Sequence, residues 1–184
     1  MTYHSVAWPY APAMPHHLGK AVSEDLVRRS GLDWTILEPC AYAQNLLPGL
    51  AGETPAVRVP YALDTPFGLV DLDDVGEATA AVLTERGHTG ATYELGGPSL
   101  VTVRGVARTA AEVLGREVPA ERLDPEVWVR GPGSEVPERE RAWLLAMFAS
   151  YDRYGLPAAS ASLRAVLGRE PRGVEAVLRR EIGP

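Results

Sequence analysis

The run PAMPHHLGKAVSEDLVRRSGLDWTILEPCAYAQNLL, from Pro12 to Leu47, most constrains this chain. It reads as an amphipathic helix, a glycine turn, a short apolar strand, and an irregular loop at the strand's carboxyl end. That order is a building unit of an open α/β sheet, and such sheets bind ligands beside the carboxyl ends of their strands. A functional site is therefore expected here first.

The helix follows from its residues. Pro15 suits the first turn, where its missing N–H would have no intrahelical partner. Leu18, Val22 and Leu26 recur every fourth residue as one apolar stripe, and His16, Lys20 and Glu24 form a second stripe on roughly the opposite side. Arg28 and Arg29 sit in the last turn, where cations oppose the helix dipole, and Gly31 fits the residue just past the helix end. Trp34 to Leu37 is β-prone and is stopped by Pro39, which cannot donate to a central ladder.

Lysine occurs once, at position 20, against seventeen arginines. That makes Lys20 a candidate for chemistry, with His16 and His17 one turn before it. The alternative is a solvated lysine paired with Glu24, a common and weakly stabilising arrangement.

Thr2 to Trp8 alternates as a strand, after which Pro9, Pro12 and Pro15 impose an extended loop. Pro48 to Phe67 is rich in Pro and Gly around one strand, Val57 to Ala62. Asp71, Asp73 and Asp74 precede a helix with Val75, Ala78, Thr79, Val82 and Leu83 at helical spacing. Asp73 or Asp74 is thus an N-cap, a better account of these carboxylates than a metal site, and no metal is assigned. Ala91 to Leu95 is a strand leading to Gly96-Gly97-Pro98. Thr102 caps a helix ended by Gly115, and Val118 to Leu123 is a further strand or extended segment. Helices at Pro137 to Tyr154, Ser160 to Leu167 and Val174 to Ile182 fill the last third. Trp143, Leu144, Met147, Phe148 and Tyr151 give the first of these a wide apolar face.

The 184 residues are 46% hydrophobic, enough for one core with a small appended lobe. A formal charge of −6 with dispersed arginines disfavours a dedicated nucleic-acid binder. Cys40 is the only cysteine, so neither an internal disulfide nor a CxxC metal site can form. No run is long enough to cross a bilayer and no signal region follows Met1, so the expected location is cytoplasmic.

The blocks HSVAWPYAPAMPHHLGK with Glu24, SGLDWTILEPCAYAQN, VDLDDVGEATAAVL, GATYELGGP, and LLAMFASYDRYGL with LGREP resemble the NmrA-like branch of the atypical short-chain dehydrogenase/reductases. The resemblance implies a partial Rossmann-like α/β sheet lacking the N-terminal nucleotide-binding strands. Residues 1–126 would be the carboxyl-terminal half of the dinucleotide domain, and 127–184 a helical substrate-side segment. It implies NADP or NAD as cofactor, although neither GxGxxG nor GxxxxGK[ST] occurs in the sequence. In the superfamily a Tyr-x-x-x-Lys pair transfers the proton and holds the nicotinamide ribose. Here Lys20 matches and the tyrosine position is His16, so His16 or His17 takes the proton-transfer role, histidine titrating near neutrality. The resemblance also places Ser5 near the nicotinamide, and runs the loop with Pro39, Cys40, Tyr42 and Asn45 beside it. For Ser5 the alternative is a hydroxyl bonding its own backbone, and for Asn45 a backbone cap.

A truncated reductase relative with a small-molecule pocket is the leading expectation. Two others stand beside it: an acid–base enzyme without redox cofactor (isomerase, cyclase or lyase), and a non-catalytic NAD(P)-sensing regulator. With strands missing, the strand from Thr2 would be an open edge, so a homo-oligomer or a partner chain completing the sheet is expected, with no nucleic acid and no membrane.

Overall fold

The structure is a computed structural model and describes residues 1–183. Strands β1 (Thr2–His4), β2 (Thr35–Pro39) and β4 (Ala91–Leu95) form a parallel sheet in the order β1-β2-β4. A second parallel pair joins β3 (Val57–Val59) to β5 (Ala120–Arg122). The helices are α1 (Pro15–Arg28), α2 (Leu72–Thr84), α3 (Val103–Leu114), α4 (Pro125–Arg130), α5 (Glu138–Tyr154), α6 (Ala161–Leu167) and α7 (Val174–Ile182). A 3₁₀ turn, Ala43–Leu46, follows β2.

The first strand is shorter than the Thr2 to Trp8 expected, yet its pairing continues. Ser5 and Ala7 donate N–H bonds to Leu37 and Pro39, each at 2.8 Å. The chain then turns sharply at Trp8, whose φ of 58° lies in the left-handed region that a non-glycine residue seldom adopts. Trp8 O accepts from Ala11 N at 3.2 Å, closing the turn that leads into α1.

Pro15 opens α1 as expected, but the helix faces the other way from its apolar stripe. Leu18, Val22 and Leu26 are 37%, 63% and 64% exposed, while His17, Ala21, Glu24 and Val27 are buried. The buried polar groups have specific partners inside: His17 on the Trp8 carbonyl, Glu24 on Ser5 and Arg28. Satisfied polar groups can occupy a core face that side-chain hydrophobicity would not select. Gly31 does take a positive φ of 74°, but the helix ends earlier, with Arg29 as its C-cap.

Asp71, not Asp73 or Asp74, is the N-cap of α2, its carboxylate accepting from Asp73 N. The acidic run is neutralised from the far end of the chain. Arg180 grips Asp71 with two bonds of 2.8 Å, and Arg169 donates to Asp74 at 2.7 Å. Thr102 and Gly115 cap α3 as read from sequence. The core runs from Leu37 and Leu95 through Val75, Ala78 and Val82 to Leu156, Leu163 and Leu178. Helix α4, unanticipated from sequence, brings Trp128 onto Phe148 of α5, ring centroids 4.9 Å apart.

Candidate functional site

A cavity of about 580 Å³ opens at the carboxyl ends of β1 and β2. One wall is His4 and Ser5 from the end of β1, with His16, His17 and Lys20 from α1. The second is Pro39, Cys40, Tyr42 and Asn45 after β2, and the third is apolar: Tyr61, Leu69, Trp128, Met147, Phe148 and Tyr151. All eight residues singled out in the sequence border this one space. Strand termination puts them there, since Pro39 ends the β2 ladder and releases the chain over the sheet edge.

Their contacts differ from those expected. Lys20 Nζ donates to His4 O at 3.1 Å and lies 5.5 Å from the Tyr3 ring centroid; Glu24 pairs instead with Arg28 at 2.9 Å. Tyr42 Oη is 3.0 Å from His4 Nε2. Ser5 does not bond its own backbone: its hydroxyl donates to Glu24. Asn45 N donates to Tyr42 O at 3.1 Å within the 3₁₀ turn, leaving its side chain at the cavity rim.

The two adjacent histidines are unlike. His16 is exposed and lies 6.4 Å, centroid to centroid, from the Trp143 ring. His17 is fully buried; its Nδ1–H donates to Trp8 O at 3.2 Å, and Nε2 has no protein partner. Burial lowers the pKa of both, with the Lys20 charge adding to the effect on His16. His4 is lowered in the same way, by burial and then by Lys20. The imidazoles are thus neutral near pH 7 and able to accept as well as donate. Burial raises the Tyr42 phenol and pushes the Cys40 thiol up to about 12; Cys40 Sγ–H donates to Leu156 O at 3.2 Å. Cys40 is therefore a packed wall residue whose thiol stays protonated.

Sequence reasoning passed over three contributors. His4 carried no signal beyond its place on a strand, Tyr61 sits in a Pro/Gly-rich stretch, and Trp128 belongs to the unanticipated α4. The apolar face of α5 was visible from its spacing, and it does supply Met147, Phe148 and Tyr151 to the cavity.

Ser5, Lys20 and Asn45 offer polar groups of the kind a nicotinamide and its ribose need. The Gly96-Gly97 turn, by contrast, leaves no room for a phosphate. A Cβ on Gly97 would sit 1.9 Å from Leu69 O, and one on Gly96 2.4 Å from Ala158 O. Backbone fills that turn, so its glycines serve packing, not anion binding. Among the described residues no group of three or more His, Cys, Asp or Glu is placed to hold a metal ion, and no helix is long and apolar enough to cross a membrane.

A parallel α/β sheet with a cavity at its strand ends is an architecture of Rossmann-like type. The chain belongs to the NmrA-like family, whose sequence profile matches residues 3–177. It is 37% identical over 103 residues to a (4-alkanoyl-5-oxo-2,5-dihydrofuran-3-yl)methyl phosphate reductase of Streptomyces griseus, covering 55% of this chain and 36% of that protein. Its fold matches an NADPH-dependent quinone oxidoreductase of Escherichia coli at TM-score 0.83 and 21% identity, over 97% of this chain and 66% of that one. It also matches NmrA, a negative transcriptional regulator, in complex with NADP, at TM-score 0.72 and 20% identity, over 100% of this chain and 64% of that one. The chain thus spans under two thirds of these relatives' lengths.

Proposed function

We propose that these residues form the substrate side of an NAD(P)H-linked reductase acting on a small, largely apolar compound with a carbonyl or quinone-like acceptor. One observation carries this reading. Lys20 and the Tyr42–His4 pair face the apolar wall of Leu69, Trp128, Met147 and Phe148 across the cavity at the carboxyl ends of β1 and β2. Such a cavity desolvates a flat apolar ligand, and its few polar groups orient it.

The nicotinamide cofactor, when bound, supplies the hydride. The chain's own groups do the rest. Tyr42 directs its hydroxyl at the acceptor oxygen, oriented by His4, and the Lys20 ammonium stabilises negative charge as it develops. His16 is the histidine open to a ligand, since His17 is sealed in the wall. The names of the Streptomyces relative, a reductase, and of the Escherichia structural neighbour, a quinone oxidoreductase, support the same assignment.

The grip on the pyrophosphate then comes from polypeptide outside these 184 residues. The free edge of β1, which has a strand neighbour on one side only, can receive it. A second reading, dinucleotide sensing without turnover, is supported by the likeness to a transcriptional regulator solved with NADP. Steady-state reduction of a benzoquinone by NADPH, with wild type and Lys20→Ala, separates the two. Turnover lost in the variant supports the reductase. Dinucleotide binding without turnover in the wild type supports the sensor.

A further inference from the structure

On the sheet face that meets α1, Ser5, Glu38 and Glu94 stand in one row. Glu38 pairs in register with Glu94, and Ser5 follows His4, the partner of Leu37. Glu24 reaches down from α1 over this row. It is fully buried, and its carboxylate accepts the Ser5 hydroxyl proton at one oxygen and Arg28 Nη1, at 2.9 Å, at the other. Glu38, level with Ser5 and Glu94 in the sheet, stands on the face that Glu24 covers, and the Glu24 charge acts on its carboxyl. Arg28 also donates to Thr92 Oγ1, at 3.2 Å, and to Tyr10 Oη, at 3.5 Å, and lies over the Trp34 ring.

Two acidic side chains and one guanidinium therefore share a mostly buried space, and a proton between the carboxyls relieves their repulsion. The ends of the row differ. Ser5 borders the cavity, whereas Glu38 is only half-buried and meets solvent.

We propose that Ser5, Glu24 and Glu38 form a proton path from the outer face of the sheet to the cavity, delivering a solvent proton to an anion formed on a ligand beside Ser5. The proton held by Glu38 passes to Glu24. The proton gained by Glu24 passes to Ser5 Oγ as the Ser5 hydroxyl proton moves to the ligand oxyanion. Ser5 ends as a hydroxyl and both glutamates as carboxylates, and Glu38 then takes a proton from water. One proton has moved from solvent to ligand, and nothing is oxidised or reduced along the way. The groups facing Glu38 are Glu24 and Arg28 from α1 and Glu94 from β4. Burial first, then Glu24 and Glu94, push its carboxyl up to about 7, with Arg28 opposing, so it is poised to load and release near neutrality.

The identity of the acceptor rests on the reductase reading; the path itself does not, and it is tested without turnover. Carboxyl ¹³C NMR of the 184-residue protein between pH 4 and 9 reads Glu38 directly, and exchange NMR reads the Ser5 hydroxyl proton. The path predicts a Glu38 transition near neutrality that moves upward in Ser5→Ala, because the carboxyl pair loses a donor. It also predicts Ser5 hydroxyl exchange slowed by roughly a hundredfold in Glu24→Gln, the lower end of what a positioned acid–base group contributes. Should Glu24→Gln fail to fold, Glu38→Gln, at the half-buried end, is predicted to slow the same exchange. A Glu38 transition in the ordinary carboxylate range, or exchange unchanged in the glutamine variants, overturns the path. An absence of quinone reduction by the wild type counts against the reductase reading alone.

Discussion

Tyr42 Oη lies 3.0 Å from His4 Nε2, tying the loop after β2 to the end of β1 across the mouth of the cavity. Neither residue is fully buried, so the pair contributes little to stability and is free to turn toward a ligand. Tyr42→Phe is predicted to lower kcat for quinone reduction by about a hundredfold, as removal of one oriented donor does elsewhere, with the melting temperature nearly unchanged. Stopped-flow kinetics and thermal unfolding of the variant check both halves.

Asp71 caps α2, accepts from Gln44 at 2.6 Å, and receives both arms of Arg180. Burial alone would raise its carboxyl, but Arg180, Gln44 and the Asp73 N–H together hold it below the usual range. A depressed carboxylate contributes stability above its unfolded pKa and loses it as pH falls through the folded value. Asp71→Asn is predicted to cost about 1 kcal/mol at pH 7, because Arg180 loses its buried partner but keeps Asp73 and Glu181, and to flatten the acid side of the stability profile. Urea unfolding between pH 3 and 7 measures both.

Glu38 has the opposite sign. Its pKa is raised from the ordinary carboxylate range to about 7, so the folded state binds the extra proton and is favoured at low pH. That contribution is fully present below the unfolded value and is lost as pH rises toward 7. Glu38→Gln, which keeps a neutral side chain at every pH, is predicted to melt higher than wild type at pH 8 and to match it near pH 4. Equal melting temperatures at both pH values would contradict the assignment.

What the sequence revealed divides along physical lines. Backbone signals were legible: Pro15, Thr102, Gly115 and Pro39 act locally and were found where expected. The gathering of Ser5, Lys20, Tyr42 and Asn45 around one cavity was legible through the NmrA-like pattern of their blocks. The facing of α1 was not, because Leu18, Val22 and Leu26 outscore His17 and Glu24 in hydrophobicity. The true face depends on partners, Trp8 and Ser5, that no periodicity encodes. Long-range pairing was equally silent. Arg180 finds Asp71 over a separation of 109 residues, and the N-cap moved to Asp71 from the two aspartates nearer the apolar spacing. His4 became a site residue only through its geometry with Tyr42.

On the proposed reading, the cavity after β1 and β2 receives the nicotinamide end of a reduced dinucleotide. Its most direct test is titration of the ¹⁵N-labelled 184-residue protein with NADPH, followed by amide chemical shifts. Saturable shifts are expected at Ser5, Lys20, Tyr42 and Asn45, with the Gly96-Gly97 turn unmoved. A well-folded protein whose spectrum stays unchanged into millimolar NADPH, or whose shifts fall away from this cavity, would contradict it.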